Sequence, residues 1–364
     1  MPALFCFLNM RMIYRIILLL ILAAPLCAQA KTAAKIAPKI TPKIAPKITG
    51  ENFKLAAEYS KQSRGHSVLV MQGDKIIFED YQNGSTADSA YPIFSGTKSF
   101  AGIMAIAAQE DKLLKLDEKV ADTITEWKND EGKSKITIRQ LLSLTGGIDA
   151  GAIGVVPTYS EAINYQVKYD AGTKFQYGPV PFQIFGEVMR RKLLPKKEDV
   201  YDYLKRRILD PIGLQVSFWR RLDGQPLLPQ GASLTAREWV KFGLLLKNGG
   251  KWNGKQLFPK KLLEECVVGT KANPAYGITF WLNNPGGTGP GGGLRGRQGD
   301  NEQIGKDGIQ SEGAKDLFMA AGALNQRLYV IPSLDLVIVR QGQGGEWDDR
   351  EFLDRLILGK TPGK

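Results

Sequence analysis

The chain has 364 residues, of which 43% are hydrophobic and 24% are charged, so it can bury one large core. Its net charge is +12, but the first 50 residues contain seven lysines and arginines and no acidic residue. The remainder is therefore only about +5, which does not indicate a nucleic-acid-binding protein. A single histidine, His66, argues against a Ser-His-Asp triad and against a metal centre built from several histidines.

The first 30 residues have the pattern of a secretory signal peptide. Two arginines precede an apolar run at residues 16–24, and residues 28–30, Ala-Gln-Ala, are small enough for a signal peptidase. We therefore expect residues 1–30 to be removed and the protein to be exported, to the periplasm or to the medium. Cys266 is then the only cysteine, so no internal disulfide can form.

Residues 31–50 form a linker with a four-residue repeat, KIAPKITPKIAPKIT at 35–49. Proline in every repeat blocks a helix and favours an extended chain. Two interpretations remain open. The linker is either a stiff spacer, or a basic segment that holds the following domain near an anionic surface such as the cell wall or a membrane.

The remaining pattern, residues 51–364, predicts an α+β fold. A hairpin begins at His66, and further strands are predicted near the C-terminus, at 276–282, 317–321, 328–331 and 336–340. Helical patterns lie between them, at 98–114, 136–148, 158–210 and 232–250, and one more ends the chain at 352–357. We expect an antiparallel sheet built from both termini, with residues 51–110 and 230–364 as an α/β subdomain and 111–229 as an inserted, mainly helical subdomain.

The most informative stretch is YPIFSGTKSFAG at 91–102, in which Ser95 and Lys98 are three residues apart. Residues with this spacing share a helix face, so the Lys98 amine is brought towards the Ser95 hydroxyl. The unpaired N–H groups at the start of the helix also favour negative charge there. One interpretation is a nucleophilic serine beside its base. The other is a helix-capping serine followed by a solvated lysine.

A nucleophilic Ser95 needs a base other than histidine. Lys98 has an unperturbed pKa of about 10.4, so burial and the helix N-terminus must lower it. A tyrosine brought alongside can share the proton. Tyr177 is the best candidate because a glycine and two prolines follow it and fix the backbone, although it could also be a core tyrosine. No cofactor, metal or redox chemistry is indicated.

Residues 283–313 form a polar, glycine-rich run without periodicity. A phosphate-binding loop would need a helix directly after it, and the pattern predicts none. We expect a loop at the edge of the active site, with Arg295 and Arg297 as possible contacts for a substrate carboxylate.

Six segments, in this order, resemble the landmarks of the β-lactamase-related serine hydrolases. They are SGTK at 95–98, ITIRQLLSLTGGI at 136–148, FQYGPVPFQIFGEVM at 175–189, ASLTAREWVKFGLLLKNGGKWNGKQL at 232–257, YGITFWLN at 276–283 and AAGALNQRLYVIP at 320–332. That family includes class C β-lactamases, D-alanyl-D-alanine carboxypeptidases, esterases and 6-aminohexanoate-dimer hydrolases. The resemblance extends from about residue 60 to residue 358 and implies the β-lactamase/transpeptidase-like fold.

The resemblance also implies roles for individual residues. Ser95 would attack the substrate carbonyl, Lys98 and Tyr177 would move its proton to the leaving group, and water would hydrolyse the acyl-enzyme. The backbone N–H groups of Ser95 and Ala323 would form the oxyanion hole. One such donor is typically worth about 2.7 to 4 kcal/mol in the transition state.

Two departures from the family pattern concern substrate binding. Where β-lactamases carry Tyr-x-Asn, this chain has Tyr177-Gly178-Pro179, without a side-chain amide. Where they carry Lys-Thr-Gly, it has Ala320-Ala321-Gly322, so the cation and the hydroxyl that grip a carboxylate are lost. Ala321 and Gly322 remain expected substrate contacts, with Gly322 leaving room for the substrate backbone.

We therefore expect an exported serine hydrolase of the esterase or amidase type, acting on a small ester, amide or peptide. The first alternative is a β-lactamase or D-alanyl-D-alanine carboxypeptidase-type enzyme, with Arg295 or Arg297 in place of the missing lysine. The second is a non-catalytic cell-envelope binding protein that keeps the fold.

Overall fold

The structure is a computed structural model that describes residues 48–290, 309 and 311–361, all within one compact unit of residues 45–364. The predicted signal peptide, the linker up to residue 47, and Arg295 and Arg297 lie outside the described residues. The predicted division of the unit into two subdomains, at residues 110 and 230, stays a prediction.

The described strands form one six-stranded antiparallel sheet, in the order β10-β11-β12-β13-β1-β2, and three smaller sheets, β3-β7-β4, β5-β6 and β8-β9. In chain order they are β1 (Gly65–Gln72), β2 (Lys75–Tyr81), β3 (Tyr91–Pro92), β4 (Phe218–Trp219), β5 (Arg221–Leu222), β6 (Gln225–Pro226), β7 (Ala232–Leu234), β8 (Lys251–Trp252), β9 (Lys255–Gln256), β10 (Trp281–Leu282), β11 (Phe318–Gly322), β12 (Gln326–Ile331) and β13 (Leu336–Gly342).

The main sheet joins the two ends of the chain, as the sequence predicts. β1 pairs with β13, and every residue of β13 is buried because neighbouring strands and helices cover this central strand. The central strands are rich in valine, isoleucine and leucine, which is typical of strands that are covered on both faces. The α+β prediction is therefore confirmed.

The α-helices of the described residues are α1 (Gly50–Gln62), α2 (Lys98–Glu110), α3 (Ile138–Leu142), α4 (Tyr159–Ala162), α5 (Val180–Leu193), α6 (Val200–Leu204), α7 (Ala236–Lys247), α8 (Lys260–Cys266) and α9 (Asp349–Leu353). α1 packs on β1, and α7 packs on β12, β13 and β1. Among the helices of the described part of the chain, none combines the length and the apolar composition that a membrane crossing requires.

The second helix, α2, runs through the middle of the core. All residues from Lys98 to Ala108 are buried, so no face of this helix is left for solvent over three turns. Small residues make this possible: a Cβ atom at Gly102 would lie 2.2 Å from the Thr279 hydroxyl oxygen. Close packing on every face therefore fixes the position of the start of α2.

The helical prediction for residues 158–210 is partly wrong. Of residues 158–210, the segment 163–179 is not helical, and its backbone instead bonds to the segment after α3. The N–H group of Gln176 donates to the Leu144 carbonyl at 2.9 Å, and the N–H group of Val180 donates to the Ala150 carbonyl at 3.1 Å. These long-range bonds replace helical ones, and they place Tyr177 on an anchored loop.

The close approach of α7 to the sheet can be tested at Gly243, where a Cβ atom would lie 2.4 Å from Val337 Cγ1. We expect Gly243→Ala to lower the free energy of unfolding by about 1–3 kcal/mol, because the helix must move away from the strand. Urea unfolding measures the difference. Gly50→Ala is the matched control, since nothing lies within 4 Å of a Cβ atom there, and an equal loss in both variants would contradict the packing argument.

Candidate active site

The site is built at the junction between a short turn and the buried helix α2. Residues Phe94–Thr97 form one 3₁₀ turn that leads directly into α2, and Ser95 in this turn is partly exposed. The turn is tight: Phe94 has a φ of 46°, and a Cβ atom at Gly96 would lie 2.8 Å from the Trp239 ring. Ser95 is therefore presented to solvent from a rigid base.

Lys98 lies beneath Ser95 with only 4% of its surface exposed. Its Nζ donates to the Ser95 hydroxyl oxygen at 2.9 Å and to the Pro229 carbonyl at 3.0 Å. No described carboxylate lies within ion-pairing distance, and burial lowers the pKa of Lys98 to about 7. The amine is therefore neutral in a substantial fraction of molecules near pH 7, and it then has a lone pair that can accept the Ser95 proton.

The Pro229 carbonyl is a part of the site that the sequence did not reveal. It belongs to the segment before β7, which is tied down on both sides. Trp219 Nε1 donates to the Leu227 carbonyl at 3.1 Å, and the N–H group of Ala232 donates to the Thr97 hydroxyl at 3.1 Å. Because the second bond reaches the Ser95 turn itself, the segment and the turn hold Lys98 between them.

Tyr177 lies on the other side of the lysine, with Lys98 Nζ 5.0 Å from the centre of its ring. Burial raises the pKa of Tyr177 to about 12, while the neighbouring Ser95 hydroxyl, the positive charge of Arg327 and the Trp281 side chain act in the opposite direction. Of the two candidate bases, Lys98 is thus the one that is partly deprotonated near pH 7. Tyr177 is a phenol that can donate and relay a proton.

Aromatic rings surround Tyr177. The ring centres of Trp281 and Phe175 lie 5.3 Å and 6.4 Å from that of Tyr177, and Tyr276 lies at 6.2 Å. Sequence patterns predicted only a strand at residue 281, so the proximity of Trp281 to the site comes from tertiary packing.

The two N–H groups predicted to form the oxyanion hole lie on neighbouring elements. β11 approaches the Ser95 turn so closely that a Cβ atom at Gly322 would lie 2.0 Å from the Ile93 carbonyl oxygen. Ala323 follows at the partly exposed end of this strand. Among the described residues, no hydrogen-bond acceptor is found for the N–H group of Ser95 or Ala323, so both are free to bind a negative charge.

The structure gives a reason for glycine at position 322 that the sequence did not reveal. Gly322 and Ala321 are both buried, and a Cβ atom at Gly322 would collide with the Ile93 carbonyl. Glycine is required so that the strand can reach the Ser95 turn. A direct contact of substrate with Ala321 or Gly322 stays a prediction.

Residues that could bind a metal are not grouped in the described part of the chain, where no cluster of three or more His, Cys, Asp or Glu side chains has suitable geometry. His66 lies apart from this chemistry. It is buried, stacks on Tyr91 at 3.9 Å and is 2.9 Å from the Ser85 hydroxyl.

Comparison with known proteins places the chain in a family. The family model for beta-lactamase matches residues 52–359. Three similar structures are a proposed 6-aminohexanoate-dimer hydrolase from Bacillus anthracis (18% identity, 84% of this chain and 82% of that chain, TM-score 0.64), a family VIII carboxylesterase (16%, 85% and 97%, 0.63) and a class C beta lactamase from Rhodobacter sphaeroides (14%, 85% and 99%, 0.62). No curated protein matches the sequence.

Because the family model covers most of the chain, the protein belongs to the beta-lactamase family, and the resemblance found in the sequence is confirmed. It is an enzyme of the serine hydrolase class. The individual structures are all below 20% identical to this chain, so they show a shared fold and no particular substrate.

Burial of Lys98 should be visible as a loss of stability. We expect Lys98→Met to raise the free energy of unfolding at pH 7 by roughly 2 kcal/mol. A lysine loses about 1.4 kcal/mol for each unit by which folding lowers its pKa, and this outweighs two hydrogen bonds worth about 1 kcal/mol each.

The pH dependence of the free energy of unfolding tests whether the lowered pKa of Lys98 causes this difference in stability. Between the folded pKa of about 7 and the unfolded value near 10.5, the unfolded chain binds more protons, so wild-type stability from this group rises with pH. The advantage of Lys98→Met should therefore shrink between pH 7 and pH 9.5 in urea unfolding. Lys54→Met, at a side chain that is 73% exposed, is the control. An advantage that is equal at both pH values would contradict the lowered pKa.

Proposed function

We propose that the protein is an exported serine hydrolase that cleaves ester or amide bonds through an acyl-Ser95 intermediate. The observation that carries the proposal is the buried, carboxylate-free Lys98 amine at 2.9 Å from the Ser95 hydroxyl oxygen. A solvated lysine behind a helix cap would be exposed and charged. A lysine with a pKa of about 7 is suited to act as a general base.

The proposed reaction begins when neutral Lys98 accepts the Ser95 proton and Ser95 Oγ bonds to the substrate carbonyl carbon. The developing oxyanion accepts hydrogen bonds from the N–H groups of Ser95 and Ala323. The proton passes from Lys98, through the Tyr177 hydroxyl, to the leaving oxygen or nitrogen, and the bond to the carbonyl carbon breaks. Water then attacks the acyl-Ser95 ester and gives its proton to the same pair. The bond between Ser95 Oγ and the carbonyl carbon breaks, the pair returns the proton to Ser95 Oγ, and the acid leaves.

The substrate-binding strand supports esters and amides over β-lactams and peptidoglycan. Ala320 and Ala321 occupy the positions of a lysine and a threonine in the related penicillin-recognising enzymes, and both are buried. Arg327, the cation on the neighbouring strand, is 1% exposed and already bound to Asp349 and to the Gly322 carbonyl. The described residues thus provide no free cation on this strand for a substrate carboxylate.

Similar structures support the same branch of the family, since they include a family VIII carboxylesterase and a proposed 6-aminohexanoate-dimer hydrolase. The aromatic rings of Phe175 and Trp281, packed around Tyr177, favour a substrate with an apolar acyl or alcohol group. Export rests on the signal-peptide pattern of residues 1–30.

The intact mass of the mature protein after exposure to a fluorophosphonate, and separately to benzylpenicillin, tests the proposal. We expect a fluorophosphonate adduct in the wild type, no adduct in Ser95→Ala, and no penicillin adduct in either. Ester hydrolysis should fall by about 10³-fold or more in Ser95→Ala.

Other outcomes would redirect the assignment. A Ser95-dependent penicillin adduct would favour the β-lactamase or carboxypeptidase alternative, with Arg295 or Arg297 as the carboxylate contact. If wild type and Ser95→Ala gave the same result with every probe, the non-catalytic alternative would replace the proposal.

The pH profile of ester hydrolysis tests the role of Lys98. Since the protonated amine cannot accept the Ser95 proton, we expect kcat/KM to rise with pH and to reach half of its plateau near pH 7. A short-chain p-nitrophenyl ester measured from pH 5 to pH 9 gives the midpoint. A midpoint near pH 10 would show that the amine is solvated and would refute the general-base role.

A further inference from the structure

The Ala323 N–H group is carried by an unusual turn. Residues 322–326, here called the oxyanion turn, join β11 to β12. Leu324 and Asn325 have φ values of 58° and 64°, so two successive residues with side chains adopt the left-handed conformation. That conformation is unfavourable for leucine in particular. The turn therefore keeps its shape only if other groups hold it.

Arg340 is the first of these groups. It lies on β13 with 0% of its surface exposed and stacks on the Trp347 ring at 4.3 Å. Its Nη1 donates to the Asn325 carbonyl at 2.9 Å, and its Nη2 donates to the Ser63 carbonyl, just after α1, at 2.6 Å. Among the described residues no carboxylate pairs with it, and burial lowers the pKa of Arg340 to about 10.

A buried guanidinium without a carboxylate partner is unfavourable for folding. Arg340 nevertheless donates to four carbonyl and hydroxyl acceptors, two in the oxyanion turn and two at the end of α1. We therefore explain the burial of Arg340 by its contacts with the turn, and not by a gain in the free energy of unfolding.

Arg327 holds the other end of the turn. It lies on β12, and its Nη1 donates to the carbonyls of Gly322 and Gln326, each at 3.1 Å. The same guanidinium makes a two-pronged ion pair with Asp349 at the start of α9, at 2.8 and 3.2 Å. The two arginines together bind carbonyls at both ends and in the middle of the turn, and they connect it to the end of α1 and the start of α9.

We propose that Arg327 and Arg340 are positioning residues for catalysis, which hold the left-handed oxyanion turn so that the Ala323 N–H group points at the reacting carbonyl. This role rests on the proposed function, because it requires Ala323 to be an oxyanion donor. Neither arginine touches the substrate. Their effect is on the transition state, where the oxyanion forms, and hardly on substrate binding.

Arg340→Lys tests the role because lysine keeps the positive charge and loses the planar fork that reaches several acceptors. We expect kcat for ester hydrolysis to fall about 10- to 100-fold, since misplacing a catalytic group by an ångström can cost about 100-fold. KM should change by less than about threefold, and the pH midpoint near 7 should not move, since Lys98 is untouched.

A second substitution makes the test specific. Leu324→Gly removes the steric penalty of the left-handed conformation. We therefore expect the double variant Arg340→Lys, Leu324→Gly to recover at least about threefold of the lost kcat. The control is Arg207→Lys: Arg207 stacks on a ring, Phe258, as Arg340 does on Trp347, but it pairs with carboxylates, and none of its described contacts reaches the oxyanion turn.

The outcomes are distinct. The positioning role would be overturned by any of three results. These are an unchanged kcat in Arg340→Lys, a rise in KM as large as the fall in kcat, or a loss of kcat of the same size in Arg207→Lys. If Arg340→Lys does not fold, Asp349→Asn loosens Arg327 with an isosteric side chain, and it should lower kcat with KM unchanged. A wild type that hydrolyses neither esters nor amides would overturn the proposed function, and the positioning role with it. An active wild type with insensitive variants would overturn the positioning role alone.

Discussion

The hydrogen bond between the buried Lys98 amine and the Ser95 hydroxyl is the interaction on which the site depends. It requires that an amine be taken out of water without a carboxylate partner, and this lowers its pKa by several units. The surrounding packing supplies the energy for that burial. A core helix with no exposed face over three turns carries Lys98, and the Pro229 carbonyl gives the amine its second partner.

Close packing also explains how the main sheet reaches the Ser95 turn. Gly322 lets β11 contact the Ile93 carbonyl, two residues before Ser95, so the two proposed oxyanion donors come from elements that touch. Neither element would hold this position alone, since the Ser95 turn contains a non-glycine residue with a positive φ and the turn after β11 contains two. Strain at the site is balanced by contacts outside it, most visibly by the buried guanidinium groups of Arg327 and Arg340.

The residues that select a substrate are separate from the proposed catalytic residues. Ser95, Lys98 and Tyr177 are the proposed catalytic set, whereas the strand that is expected to grip a carboxylate carries only alanine at positions 320 and 321. Chemistry and specificity can diverge in this way because the proposed oxyanion donors are backbone N–H groups, which do not depend on the side chains of the strand.

The sequence by itself determined the family, the α+β fold and the Ser95-Lys98 pair, because these depend on local spacing and on the order of short segments. It could not determine the environment of the Lys98 amine, since Pro229 is 131 residues away in the chain and has no motif of its own. It also misread the loop that carries Tyr177 as helix, because hydrogen bonds to residues 144–150 override local propensity. Only tertiary structure decides which distant carbonyls, rings and charges meet, and a pKa depends on those neighbours and on burial rather than on sequence spacing.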